Sequence, residues 1–95
     1  MPYVRLSIAH PQRGQEQRLE ELMRKLNELS REQEGLVDCY VLRPSDNSSE
    51  IARIAIYRDE AVAERHANSQ SFMAIRSEIH LISEADHVER AFVTI

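Results

Sequence analysis

The sequence predicts an α+β sandwich: one four-stranded antiparallel sheet with its helices gathered on a single face. Three observations lead there. Four short segments alternate apolar and polar residues with period two, as half-buried strands do. Two regions between them repeat their apolar residues every three or four positions, the mark of amphipathic helices. The order strand, helix, strand, strand, helix pair, strand is that of a split βαβ unit, the ferredoxin-like βαββαβ arrangement. Ninety-five residues are enough for one domain, spanning 1–95, and no linker, repeat or low-complexity run divides them.

The first strand runs from Tyr3 to Ala9, with Val4, Leu6 and Ile8 on one side and Tyr3, Arg5 and Ser7 on the other. His10 to Gly14 breaks it, because Pro11 lacks a backbone donor and Gly14 tolerates a turn. From Gln15 to Glu34, residues Leu19, Leu22, Met23, Leu26 and Leu29 share one helical stripe, and Gly35 ends the helix. Leu36–Leu42 is the second strand. The polar run Pro44–Ser49 is a loop whose side chains bond their own backbone. Ile51–Tyr57 is the third strand. Asp59 is placed to cap a helix over Glu60–Ala67. Asn68 or Ser69 then caps a further helical segment carrying Phe72, Met73, Ile75 and Ile79. A turn at Ser83–Asp86 leads to the last strand, Val88–Ile95.

Charge and composition exclude several functions. Twelve Lys and Arg against sixteen Asp and Glu give a net charge of −4, the wrong sign for a surface that neutralises phosphates, so no nucleic-acid partner is expected. No apolar run is long enough for a membrane span. A single cysteine, Cys39, leaves no internal disulfide and suits a reducing cytoplasm; a buried, inert thiol is its expected role. His10, His80 and His87 have no metal-ligand spacing, and there is neither a glycine-rich phosphate loop nor a GxSxG elbow.

One sheet face can be covered by helices. The more apolar set, Val4, Leu6 and Ile8 with Ala52, Ile54 and Ile56 and with Ala91, Val93 and Ile95, is expected to take that cover. The opposite set, including Tyr3, Tyr40, Leu42, Ile51, Tyr57, Val88 and Phe92, is still too apolar for water. A second copy of the chain is therefore expected to close it, forming a homodimer sheet against sheet. Arg5, Arg53 and Arg90 fall on that second face in this register. They would require interfacial carboxylates such as Asp38 and Glu50, or an anion.

With these elements placed, the residues carry a resemblance. Pro11 and Gly14 stand ahead of an acidic-basic helix, and Glu34-Gly35-Leu36-Val37-Asp38-Cys39-Tyr40 forms an acidic-glycine-strand junction. The run Tyr57-Arg58-Asp59-Glu60-Ala61 continues through His66 and Ser69 to Phe72, giving an aromatic, a small polar residue, Glu-Ala, His, Ser and an aromatic. Over nearly its whole length the chain resembles the antibiotic biosynthesis monooxygenase family of dimeric α+β barrels. That resemblance implies a cofactor-free oxygenase acting on a small aromatic or quinol compound in a pocket between helices and sheet. It leaves open a non-catalytic ligand-binding or stress-response barrel. Haem degradation, a third activity of similar proteins, uses an Asn, a Trp and a His at offsets that here hold Ser7, His66 and Arg76. A frequent Trp and Glu of the third strand are Tyr57 and Ala55.

His66 is the candidate catalytic base, since an imidazole with a reference pKa of about 6.5 can take a phenolic proton at neutral pH. A phenolate then passes an electron to O2 without help from metal or cofactor. Tyr57, Asn68, Phe72 and Arg76 are the candidate substrate-binding residues, Arg76 as a counter-charge. Packing or capping is the competing role for His66, Tyr57 and Phe72, capping for Asn68 and Ser69, and a solvated helix face for Arg76.

Overall fold

A computed structural model describes all residues, 1–95. Its elements are β1 (Tyr3–Ala9), α1 (Glu16–Arg31), β2 (Leu36–Leu42), β3 (Ile51–Tyr57), α2 (Glu60–Ala67), α3 (Gln70–Leu81) and β4 (Val88–Val93). The four strands lie in the order β2-β3-β1-β4, every neighbouring pair antiparallel. This is the ferredoxin-like α+β arrangement expected from the sequence. No helix is long and apolar enough to cross a membrane.

The caps follow the side-chain chemistry. Asp59 accepts a hydrogen bond from the Val62 N–H at 3.0 Å, and Ser69 accepts one from the Phe72 N–H at 3.3 Å. Ser69, not Asn68, therefore opens α3, while Asn68 closes α2 as its C-cap. Helix α1 stops three residues earlier than Glu34, because its last turn tightens into the short bonds Glu32 N–H to Leu29 O and Gln33 N–H to Ser30 O. Strand β4 ends at Val93, beyond which only the Thr94 N–H still pairs, with Pro2 O at 3.2 Å.

The sheet faces are the main correction. Residues Ile51, Arg53, Ala55 and Tyr57 of β3 are buried beneath the helices, and Ala52, Ile54 and Ile56 point the other way. Through the strand register, Tyr3, Arg5 and Ser7 lie on the helix side, and Val4, Leu6 and Ile8 on the outer side. The β1–β4 register puts Ala91 and Val93 on the helix side, as expected, with Val88, Arg90 and Phe92 outside; Ile95 lies beyond the strand. Alternation identifies residues that share a face but not which face is covered, and here both faces are apolar. The three arginines consequently part company: Arg5 and Arg53 face the helices and Arg90 does not. Asp38 and Glu50 meet none of them, for Asp38 accepts from the Tyr40 hydroxyl at 2.6 Å and Glu50 sits 3.4 Å from His10.

Two groups of buried side chains hold the layers together. Ala9, Leu19, Leu22, Met23, Leu26, Ile51, Phe72 and Ile79 join α1, α3 and the sheet, each large side chain contributing about 1.5–3 kcal/mol by leaving water. Cys39, Ala55, Tyr57, Val62 and Ala63 seat α2 on β2 and β3. The buried stripe of α1 also takes in two polar residues, Asn27 and Ser30, while Leu29 is left half-buried. Met73 is exposed, so only Phe72 of that pair enters the core. Helix α1 packs on α3, β2 and β3, and α2 on α3 and β3. Strand β4 stays exposed along its length, which leaves the β1–β4 side of the helical cover open.

Both glycines adopt positive φ, but their surroundings differ. A Cβ on Gly35 (φ 96°) would come within 2.5 Å of Val62 Cγ1, whereas one on Gly14 (φ 85°) would meet nothing. Gly35→Ala is expected to cost about 2–3 kcal/mol through strain plus overlap. Gly14→Ala is expected to cost about 1 kcal/mol through backbone strain alone. Urea unfolding midpoints at unchanged m-value would check the ranking, which equal losses would overturn.

Candidate functional site

A cavity of about 230 Å³ lies between α1, α2 and α3 and the helix-facing side of the sheet. Its walls divide by chemistry. Tyr3, Tyr57 and Phe72 supply aromatic surface, and Met23, Leu26, Ala63, Ala67 and Ile79 supply aliphatic surface. Arg5, Arg53 and Arg76 bring guanidinium groups, His80 and His87 imidazoles, and Glu89 the only carboxylate. An apolar cavity of about 150 Å³ holds one benzene, so this one has room for one to two fused rings.

Three of the five residues singled out from the sequence, Tyr57, Phe72 and Arg76, line this space. Asn68 does not, being exposed at the end of α2. His66 is 1% exposed and lies outside the lining. Its Nε2 is 3.3 Å from the Glu34 carbonyl oxygen, which can only accept, so that nitrogen carries the proton and Nδ1 is left buried without a partner. The ring stands edge-on to Tyr57, 5.0 Å between centroids. Burial, and then the nearby charges of Arg53 and Arg65, hold the His66 imidazole below its usual range. His66 thus joins the Glu34–Gly35 turn to α2 and backs the Tyr57 ring.

Arg76 shares the wall with three residues that the sequence did not put forward for the site, Glu89, His87 and His80. Arg76 Nη2 donates to both oxygens of Glu89, at 3.0 and 3.2 Å. The His87 Nε2 lies 3.3 Å from Glu89 Oε1, off the line of a hydrogen bond, and its Nδ1 is buried with no partner. His80 stacks on His87 at a tilt of 44°, 4.9 Å between centroids. Partial burial pushes the Glu89 carboxyl up, but Arg76 and then His87 together bring it below the usual carboxylate range. The available signal was period two: Glu89 and Ala91 lie on one side of β4, opposite Ser7 and Arg5, and His87 precedes the strand two residues before Glu89. No group of three or more His, Cys, Asp or Glu side chains is arranged to hold a metal ion.

Arg53 is 6% exposed. Its Nε donates to Asn27 Oδ1 at 2.6 Å and its Nη2 to Ser30 Oγ at 2.9 Å, and its Cζ lies 5.4 Å from the Phe72 ring centroid. The two polar residues in the buried stripe of α1 are there to meet it. Cys39 is fully buried, its thiol 3.9 Å from the Asn27 carbonyl, and burial pushes that thiol up. It is unreactive in this setting.

The buried His66 makes stability pH-dependent. Its folded pKa is lowered from the ordinary 6.5, so the unfolded chain binds the extra proton first as pH falls. The contribution is complete above about pH 6.5 and is lost as pH drops towards the folded value. Thermal melts should show Tm declining across that window, and His66→Phe should flatten the decline. An unchanged slope in the variant would contradict the assignment.

Comparisons with known proteins agree with this architecture. The family model described as antibiotic biosynthesis monooxygenase matches residues 2–78. No curated protein matches the chain by sequence. Among solved structures, the Rv0793 protein of Mycobacterium tuberculosis superposes with a TM-score of 0.91 at 13% identity, covering 100% of this chain and 96% of that one. A conserved protein of Methanosarcina mazei Go1 gives 0.89 at 16% identity, covering 97% and 91%. SnoaB, a cofactor-independent oxygenase from Streptomyces nogalater, gives 0.86 at 16% identity, covering 98% and 92%. At such identities the likeness concerns the fold.

Proposed function

Starting from the premise that this chain belongs to the antibiotic biosynthesis monooxygenase family, we propose that it is a cofactor-independent monooxygenase acting on a small aromatic or quinol compound. The observation that carries this reading is the cavity itself. It has aromatic walls, room for one to two rings, and a hydrogen-bonded Arg76–Glu89 pair with an imidazole alongside. SnoaB, a structural neighbour, bears the description cofactor-independent oxygenase.

The chemistry asks the protein for little. Ground-state O2 reacts slowly with closed-shell molecules, but a phenolate can give it one electron. The resulting superoxide and substrate radical join at a ring carbon that itself bears hydrogen, forming a C–O bond, and the base returns the phenolic proton to give a hydroperoxide. Loss of that carbon's C–H proton as the O–O bond breaks leaves C=O on the product and releases water, so the substrate supplies both hydrogens and all four electrons. The protein binds the ring, accepts the phenolic proton and stabilises the anion. In this reading His87 is the proton acceptor. It lines the cavity, whereas His66, the candidate from the sequence, is turned to Glu34 behind Tyr57. Glu89 faces the His87 ring, and Arg76 holds Glu89 in place. His66 is a positioning residue acting through Tyr57.

The outer sheet face, with Val4, Leu6, Ile8, Ile54, Ile56 and Phe92, has no helical cover, and the homodimer closes it by packing two such faces together. Sedimentation equilibrium should give twice the 11.0 kDa protomer mass, and Ile54→Lys should shift it to monomer; a wild-type monomer at micromolar concentration would end this part of the proposal.

Oxygen uptake with a panel of quinols tests the activity. His87→Gln is expected to lower kcat by about 10²-fold, and His66→Gln to lower it less. Thermal stabilisation by quinols with no oxygen uptake would make the protein a non-catalytic binder. The reverse ranking of the two histidine variants would return the base role to His66.

A further inference from the structure

We propose that the cavity recognises an aromatic carboxylate, and that Arg53 is the residue that anchors its acid group. This deepens the reading above by naming the substrate class, and it rests on that reading's assignment of the cavity as the substrate site.

The argument is one of charge balance inside an acidic protein. The chain carries a net charge of −4, yet three guanidinium groups, those of Arg5, Arg53 and Arg76, line the cavity against one carboxylate. Two of the three are matched within the fold: Arg5 by Glu64 at 2.6 Å and Arg76 by Glu89 at 3.0 Å. Arg53 differs from both, being buried with only neutral partners, Asn27 and Ser30. A charge out of water is costly unless it is both paired and hydrogen-bonded. Asn27 and Ser30 supply the hydrogen bonds, and the opposite charge is missing.

The geometry of the free donors says what would supply it. A guanidinium has five N–H groups, of which Nε and one on Nη2 are used here. The two on Nη1 and the second on Nη2 remain, which is the forked edge that meets a carboxylate with two parallel bonds. Phe72 lies under the guanidinium and Tyr57 lines the same cavity, so a ligand with an acid group on a flat ring system fills both halves of the cavity. Asn27 and Ser30 hold the fork from the α1 side, making it rigid before any ligand arrives.

The test compares two ring compounds that differ by the acid group alone, hydroxynaphthoate and the corresponding naphthol, by anaerobic calorimetry. The wild type is expected to bind hydroxynaphthoate at least about tenfold more tightly than naphthol, the size of a charge-assisted pair. Arg53→Gln should bring the two within about twofold. Because Arg53→Gln removes a buried group on which α1 packs, Asn27→Asp is the companion variant. It puts a carboxylate on the Arg53 Nε side without changing shape, so it should raise Tm and erase the preference for hydroxynaphthoate. Equal wild-type affinities for the two compounds would overturn the proposal, and so would a preference that survives Asn27→Asp. The measurement excludes oxygen and needs no turnover, so a protein inactive on quinols but selective for the acid through Arg53 would refute the oxygenase reading and leave this one standing.

Discussion

Arg53 decides how the layers of this protein meet. A guanidinium on the middle of β3 must either face water or be given hydrogen bonds inside, and Asn27 and Ser30 of α1 provide the latter. That contact sets the rotation of α1, bringing two polar side chains into its buried stripe and leaving Leu29 only half covered. It also sets the face of the sheet. Once Arg53 points inward, the strict alternation of β3 carries Ile51, Ala55 and Tyr57 in with it and sends Ala52, Ile54 and Ile56 out. Register then propagates the choice to β1, β2 and β4.

Two consequences of this arrangement bear on function. The inner face, which the helices cover over β2 and β3, contains charge and aromatic surface, and it opens into a cavity where the cover runs out near β1 and β4. The outer face is the more aliphatic one. Had the helices covered it instead, the core would be drier and Arg5 and Arg53 would lie on the uncovered face. The fold accepts a less apolar interior, and a cavity comes with it.

The histidines illustrate how position within one layer separates structure from chemistry. His66 and His87 are both shielded from water, but His66 is spent on the Glu34 carbonyl and the Tyr57 ring, on the far side of the wall. His87 sits within the wall next to Glu89, with neither ring nitrogen hydrogen-bonded. An imidazole tied to a backbone carbonyl holds a turn to a helix, whereas His87 has no such tie and lines the cavity.

By itself the sequence determined the element order, the caps at Asp59 and the Ser69 alternative, the apolar stripe of α1 from Leu19 to Leu26, and the family to which the chain belongs. These depend on local periodicity and short-range hydrogen bonding, both written into neighbouring residues. The cavity contacts of Tyr57, Phe72 and Arg76 were accessible through the same family pattern. Only the tertiary structure decided which sheet face lies inward, that Asn68 and His66 stand outside the cavity, and that His87, Glu89 and Arg53 belong to it. Those outcomes turn on pairings between residues far apart in the chain: Arg53 with Asn27, Arg76 with Glu89, His66 with Glu34. Period-two alternation is symmetric between the two sides of a sheet, and that symmetry is broken only when a helix from elsewhere in the chain meets one of them.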